Sequence, residues 1–205
     1  MPRRSQQDRS QATKAELIRA GRELFASHGY ANVSAEQIVA AAGLTRGALY
    51  HHFGDKRGLF VAVIEDVEQE NTHEITEAIG AADDQWTSIV LGIGRFLDIC
   101  QRPDVIQLAM IDAPAVLGWQ GWRELEARHG LGMVTEALQG ALDSGLLRPA
   151  PIPVLAKLVL SSITEAGMII AHAVDPTTAR AQAEQALLLM MTGLLHSDPA
   201  AAGSP

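Results

Sequence analysis

Arg46, Tyr50, His51 and Lys56 lie close together in one short stretch, GLTRGALYHHFGDK, which runs from Gly43 to Lys56. These residue types suit a polyanion. A guanidinium can grip a phosphate or the O6/N7 edge of guanine, a phenol and an imidazole can donate hydrogen bonds, and an ammonium is a mobile point charge. Thr45 stands where a helix would begin, so its hydroxyl and the free amides of the first turn can face a phosphate. Gly47 removes a side chain and lets a backbone or neighbour approach closely. Leu49 and Phe53, four residues apart, form an apolar pair that anchors such a helix inward, leaving Tyr50 and His51 on the outward side. Those two are equally readable as ordinary half-buried surface residues, and spacing alone leaves both readings open.

The charge distribution points the same way. Residues 1–60 hold nine Lys/Arg against five acids, a net of +4, while residues 61–205 hold seven against nineteen, a net of −12. Charge of opposite sign in two parts of a chain implies two jobs, with the basic part facing the polyanion. The bland alternative is a soluble acidic surface and a chance excess of arginine. Cys100 is the single cysteine, which excludes an intrachain disulfide framework and fits a reducing cytoplasm. The N-terminal MPRRSQQDRSQ lacks an apolar core, so no secretory signal is expected, and no apolar run approaches membrane-spanning length. The expected location is the cytoplasm.

The elements that must position these residues read as helix almost throughout, since Ala, Leu, Glu and Gln dominate and alternating β-branched runs are missing. Thr13–Glu16 is a capping box that starts a first helix, and Ser34–Gln37 is a second box opening a short helix through Val39 and Ala42. Gly43 breaks that helix, and another runs from Thr45 to about His52. Two short helices around a glycine turn make a helix-turn-helix pattern, although a generic αα-hairpin has the same spacing. A long helix begins near Lys56 and extends to about residue 80. Further helices start at Trp86 and at Pro103, the latter interrupted by DAPAVLG. Another spans Trp119 to Leu142, with Gly130 and Gly132 as candidate bends. The last two, Pro153 to Val174 and Pro176 to His196, are strongly apolar. The expected architecture is all-α, about nine helices. It comprises a basic arm at 1–10, a DNA-binding head at 11–55, a body at 56–196 and a frayed tail at 197–205.

Residues 13–66, TKAELIRAGRELFASHGYANVSAEQIVAAAGLTRGALYHHFGDKRGLFVAVIED, resemble the DNA-binding domain of the TetR family of transcriptional regulators. The resemblance covers about residues 11–71. It rests on Ala20, Leu24, Phe25, Gly29 and Tyr30, then on Gly43, Leu44, Thr45, Gly47, Leu49, Tyr50, His52, Phe53, Lys56 and Leu59. It implies a three-helix head, a ligand-sensing body and a homodimer. On this analogy Ser34, Thr45, Arg46, Gly47, Tyr50, His51 and Lys56 form the DNA side, with Tyr50 and Lys56 on phosphates and His52 and Phe53 closing the core.

The same resemblance implies an effector pocket among the middle helices. Candidate lining is Trp86, Phe96, Cys100, Met110, Trp119, Trp122, Met133 and Met168, with Arg95, Asp112, Glu165 and His172 as polar contacts; each is also readable as ordinary core or surface. In the last two helices, Leu155, Leu158, Leu160, Ile163, Gly167, Ile170, Ala171, Val174, Ala186, Leu187, Met190 and Leu194 leave too few polar positions for solvated faces. A four-helix homodimer interface would cover them and space two recognition helices for a pseudo-palindromic operator. The function implied is a dimeric repressor that a partly apolar small molecule releases from double-stranded operator DNA.

An enzyme is not expected. No GxSxG, P-loop or HExxH occurs, and His51 and His52 point about 100° apart on a helix. Cys100 reads as an inert buried thiol. No metal or cofactor is expected. The remaining rival is a helical sensor that binds a small molecule without specific DNA binding. The arm MPRRSQQDR either adds phosphate or minor-groove contacts or is plain disordered sequence.

Overall fold

The structure, a computed structural model, describes residues 6–196. The basic residues Arg3 and Arg4 and the tail expected at 197–205 lie outside the described residues. The elements run α1 (Gln6–His28), a 3-10 turn (Tyr30–Asn32), α2 (Ala35–Ala41), α3 (Arg46–Phe53) and α4 (Lys56–Gly80). They continue with α5 (Gln85–Ile99), α6 (Pro103–Val105), a π-helical stretch (Ile106–Asp112), α7 (Ala113–Asp143), α8 (Ile152–Ala171) and α9 (Pro176–Thr192). The all-α expectation holds. The β pairing among the described residues is a lone bridge between Leu147 and Leu195.

Local chemistry explains most boundaries. At α2 the capping box is complete: Gln37 N donates to Ser34 Oγ at 3.2 Å, and Ser34 N donates to Gln37 Oε1 at 2.7 Å. Asp84 and Asp175 cap α5 and α9 through the amides of Thr87 and Thr178. The box read at Thr13 is not a helix start, because α1 already begins at Gln6. Residues 6–10, assigned to the arm, fall inside it. The Gln, Arg and Ala before Thr13 propagate a helix well enough to override a cap signal.

The backbone gathers into two compact units. Among the described residues, one comprises 6–69 together with Pro103–Trp122, the other Glu70–Arg102 with 123–196. The sequence reading put all of 56–196 in the body; by backbone contacts 103–122 group with the helices of the head. Arg22 pairs with Asp104 (3.3 Å), Tyr30 N donates to Asp112 Oδ2 (2.8 Å) and Arg57 Nε donates to the Val116 carbonyl (3.4 Å). The DAPAVLG segment does not interrupt a helix as a loop. Pro114 has no N–H to give and its ring crowds the carbonyl four residues back. The turn before it is widened, with Ala113 N donating to Leu108 O. The true break comes at Gly118 (φ 75°, ψ 164°), a conformation that side chains essentially forbid. It replaces the bends expected at Gly130 and Gly132.

In the first unit α1, α2, α3 and the start of α4 surround Leu17, Phe25, Ile38, Leu49, Leu59, Phe60 and Ile64, all fully buried. Phe25, Tyr30 and Phe60 form a triangle of ring contacts with centroids 5.0 to 5.5 Å apart. Such edge contacts add to the apolar burial. Leu49 anchors α3 as expected, while His52 and Phe53 are only half-buried.

In the second unit α8 and α9 pack as a hairpin on α5. Gly167 gives α5 room: a methyl there would stand 2.9 Å from Cys100 Sγ. α8 also corrects the membrane reading. It is long and apolar enough to cross a membrane by length and composition, with mean hydropathy 1.7. Lys157 and Glu165 divide its apolar runs and lower the average, yet the Ile, Leu, Val and Met around them keep it high.

Glu74 of α4 accepts from both nitrogens of the Arg102 fork, at 2.7 Å for Nη1 to Oε1, and also from Arg95. The Arg102 hydrogen bonds, joined by the charges of Arg102 and Arg95, outweigh partial burial and hold this carboxyl at about 2, well below the ordinary value. A depressed carboxylate adds stability that is full above its unfolded value near 4.5 and fades as pH falls toward 2. Glu74→Gln is therefore expected to lose on the order of 1 kcal/mol at neutral pH, after allowance for screening. Wild type and variant should converge in acid. Denaturant unfolding at pH 7 and pH 2.5 checks this, and a constant gap across pH would refute it.

Candidate nucleic-acid interface

The second and third helices meet at Gly43, whose positive φ (63°) makes the turn between them. Leu44 N donates back to Val39 O at 2.8 Å, so the turn is held by backbone. Thr45 then caps α3: Ala48 N donates to Thr45 Oγ1 at 3.2 Å. With Leu49 fixed in the core, the outward face of α3 carries Arg46, Tyr50 and His51.

This face is organised before any ligand arrives. Arg46 Nη2 donates to Tyr50 Oη (3.0 Å), and its guanidinium carbon lies 5.2 Å from the Tyr50 ring centroid. Arg46 Nη1 also pairs with Glu36 Oε1 of α2 at 2.8 Å. The Tyr50 hydrogen bond first, then the neighbouring charges, raise the Arg46 pKa further. Tyr50 is 43% exposed, high for a tyrosine, and its ring lies along the surface rather than in the core. His51 is exposed and stands edge-to-face against His52 (5.0 Å).

Lys56 sits differently from its expected place. Its ammonium donates to the carbonyls of Tyr30 (3.0 Å) and Val33 (2.8 Å) and lies 4.0 Å from the Tyr30 ring centroid. It braces the segment between α1 and α2, and only one of its three N–H bonds remains for a phosphate. Burial, and then the charge of Asp55, raise the Tyr30 pKa. Ser34 spends its hydroxyl on the α2 cap.

Gly47 is the informative glycine. A methyl added there would meet nothing nearer than Thr45 Oγ1 at 3.8 Å. Nothing inside the protein demands glycine, so any demand comes from outside. Gly47→Ala is expected to raise stability slightly, by up to about 1 kcal/mol of helix propensity. It should weaken duplex DNA binding at the same time. Thermal unfolding and a DNA titration on one preparation test this; unchanged DNA affinity would place Gly47 away from the contact.

The expected effector residues are divided. Met110, Trp119 and Trp122 belong to the first unit, while Trp86, Phe96, Cys100, Met133, Glu165, Met168 and His172 belong to the second. Trp119 is 71% exposed with its ring 5.3 Å from that of buried Trp122. Glu165 and His172 face outward, His172 Nδ1 lying 2.8 Å from the Met168 carbonyl. These three do not line a protomer interior. Asp112 holds the Tyr30 amide and Arg95 holds Glu74, so neither is a loose polar contact. A part-buried polar group exists that the sequence did not single out: Arg123 with Ser161 (2.7 Å) and Glu126 (2.8 Å). Burial raises the Glu126 pKa against the opposing pull of Arg123.

The interface residues also separate. Gly167, Ile170 and Leu187, expected at a partner-facing surface, are buried within the protomer and pack in its own core. Leu158, Val174 and Met190 are exposed as expected, and Val154, Ile169 and Leu189 join them. Periodicity could not separate inward from outward positions on helices apolar around most of their circumference. A groove of about 200 Å³ runs along α8 and α9, lined by Leu155, Leu158, Ile163, Leu187, Met190 and Leu194 among others.

Comparison with known proteins adds independent findings. Residues 17–63 match the family described as "Bacterial regulatory proteins, tetR family", and residues 86–194 match "Tetracyclin repressor-like, C-terminal domain". The chain is 30% identical over 120 residues to the HTH-type transcriptional repressor AcnR of Corynebacterium glutamicum, covering 54% of this chain and 62% of that protein. It is 34% identical over 107 residues to the HTH-type transcriptional repressor Rv1474c of Mycobacterium tuberculosis, covering 47% and 57%. The alignments thus span about three-fifths of these relatives. The crystal structure of a TetR-family transcriptional regulator from Pectobacterium atrosepticum superposes with a TM-score of 0.85 at 32% identity, covering 95% of this chain and 99% of that one.

Proposed function

Because the chain belongs to the tetR family of bacterial regulatory proteins, we propose that it is a dimeric, DNA-binding transcriptional repressor. The observation that carries this is the outward face of α3: Arg46, Tyr50 and His51 stand preordered on a capped helix, in the more basic part of an acidic chain. Arg46 supplies base-edge or phosphate contacts. Thr45 offers the positive start of α3 to a phosphate, and Gly47 lets the helix approach closely. The exposed apolar side chains of α8 and α9 are covered by the same helices of a second copy, which spaces two α3 helices for an inverted repeat.

The effector is a small, partly apolar molecule bound in the body, and it releases the repressor by favouring a conformation with the wrong head spacing. Linkage then requires DNA to weaken effector binding by the factor with which effector weakens DNA binding. The site of action is the bacterial cytoplasm. Selection of bound duplexes from a random pool, followed by footprinting, tests the reading. An inverted repeat protected by two chains is the expected result. Failure to enrich any sequence, with only weak salt-sensitive binding, would leave the rival reading of a sensor that does not use its DNA head.

A further inference from the structure

We infer that Glu36 is a specificity-determining residue: a positioning carboxylate on α2 that fixes how Arg46 presents its guanidinium to one base pair. The inference rests on the DNA-binding function proposed above. Its basis is a division of labour around one side chain. Glu36 takes Nη1 at 2.8 Å from one helix, and Tyr50 takes Nη2 at 3.0 Å from one turn further along α3. Held from two sides, with its carbon 5.2 Å from the Tyr50 centroid, the guanidinium has a defined plane before DNA arrives. Two of its five N–H bonds are used and three remain, enough for the paired donation that O6 and N7 of guanine require.

In water this pair contributes little, because the two side chains are 61% and 60% exposed. Contact with a duplex changes its meaning. Glu36 is exposed on α2, whose buried side chains are Ile38 and Val39. Its carboxylate therefore enters a closing, phosphate-lined interface. There it must keep Arg46 or accept an N4–H of cytosine, since an unpaired carboxylate in that setting is costly. At the matching base Arg46 satisfies guanine and Glu36 together. At a mismatch Arg46 is drawn to a phosphate and leaves Glu36 stranded. Glu36 thus turns an indiscriminate basic grip into one that depends on sequence.

The test uses full-length protein, the operator recovered by selection, all four base pairs at the position that Arg46 reads, and a random duplex. Affinities are measured for wild type and Glu36→Gln over a range of salt. Glutamine keeps the shape and removes the charge, and the Ser34–Gln37 cap stays intact. The variant is expected to bind random duplex about fivefold more tightly. It should lose about tenfold in discrimination at that single base pair. In an Arg46→Ala background the substitution should no longer change base preference. Equal tightening on all duplexes would make Glu36 a bystander charge and overturn the inference, as would unchanged discrimination in a wild type that discriminates. A wild type that enriches no sequence would instead overturn the DNA-binding function, and the inference with it.

Discussion

Arg46→Ala is expected to lower affinity for the selected operator about a hundredfold while moving the unfolding temperature by no more than about a degree. The DNA effect is large because the guanidinium is the strongest charge-assisted donor on the outward face of α3, and a dimer loses it twice. A bidentate contact to a base is worth about 1 to 3 kcal/mol. The stability effect is small because the side chain is 61% exposed and its partners Glu36 and Tyr50 return to water when it leaves. The salt dependence separates the two possible contacts. A lost phosphate contact weakens all duplexes alike and flattens the slope by about one per protomer. A lost guanine contact leaves the slope in place and removes preference at one base pair. Tyr50→Phe, which deletes only the hydroxyl that Arg46 uses, should give a smaller loss of the same kind. Full operator affinity in Arg46→Ala would remove α3 from the interface.

The legibility of the sequence depended on the distance over which each feature is determined. The head was readable because its signals are local: the Ser34–Gln37 box, the Gly43 turn and the Thr45 cap each lie within four residues and recur in the structure. The pair Leu49 and Phe53 pointed Tyr50 and His51 outward, although spacing alone also allowed two half-buried surface residues; in the structure both are exposed. What was not readable depends on groups far apart in the chain. Asp112 is one carboxylate in an apolar run, and only its partner, the amide of Tyr30, reveals its role. Lys56 matched a phosphate contact by type and motif, yet its ammonium lies among carbonyls of the preceding segment. Arg46 was singled out, but Glu36, ten positions earlier, was read only as part of a cap. In α8 and α9 the apolar content was visible and its direction was not. Gly167 turned inward against Cys100 and Phe96 at the end of α5, and Ile170 is fully buried, facts no periodicity contains.

Gly58→Ala is expected to be the most damaging small substitution in the head, costing about 3 kcal/mol and weakening DNA binding as a consequence. A methyl on Gly58 would lie 2.0 Å from the carbonyl oxygen of Phe53 and 3.1 Å from its carbon. Those atoms are backbone at the end of α3, so no rotamer change relieves the clash. The turn from α3 to α4 is itself fixed: Gly54 N donates to Tyr50 O at 3.0 Å, and Gly58 N donates to Asp55 Oδ1 at 2.7 Å. Relief therefore requires α3 and α4 to separate, which opens the contact of Leu49 with the core and tilts the face that carries Arg46. A control isolates this cause. Gly132 lies in α7 with nothing within 4 Å of an added methyl, so Gly132→Ala should gain about 1 kcal/mol of helix propensity. Opposite signs for the two substitutions, read by denaturant unfolding, would establish that Gly58 is held by the Phe53 carbonyl and not by general backbone freedom. A Gly58→Ala protein as stable as wild type would show that the α3–α4 turn yields easily, and the fixed register of the recognition helix would then need another source.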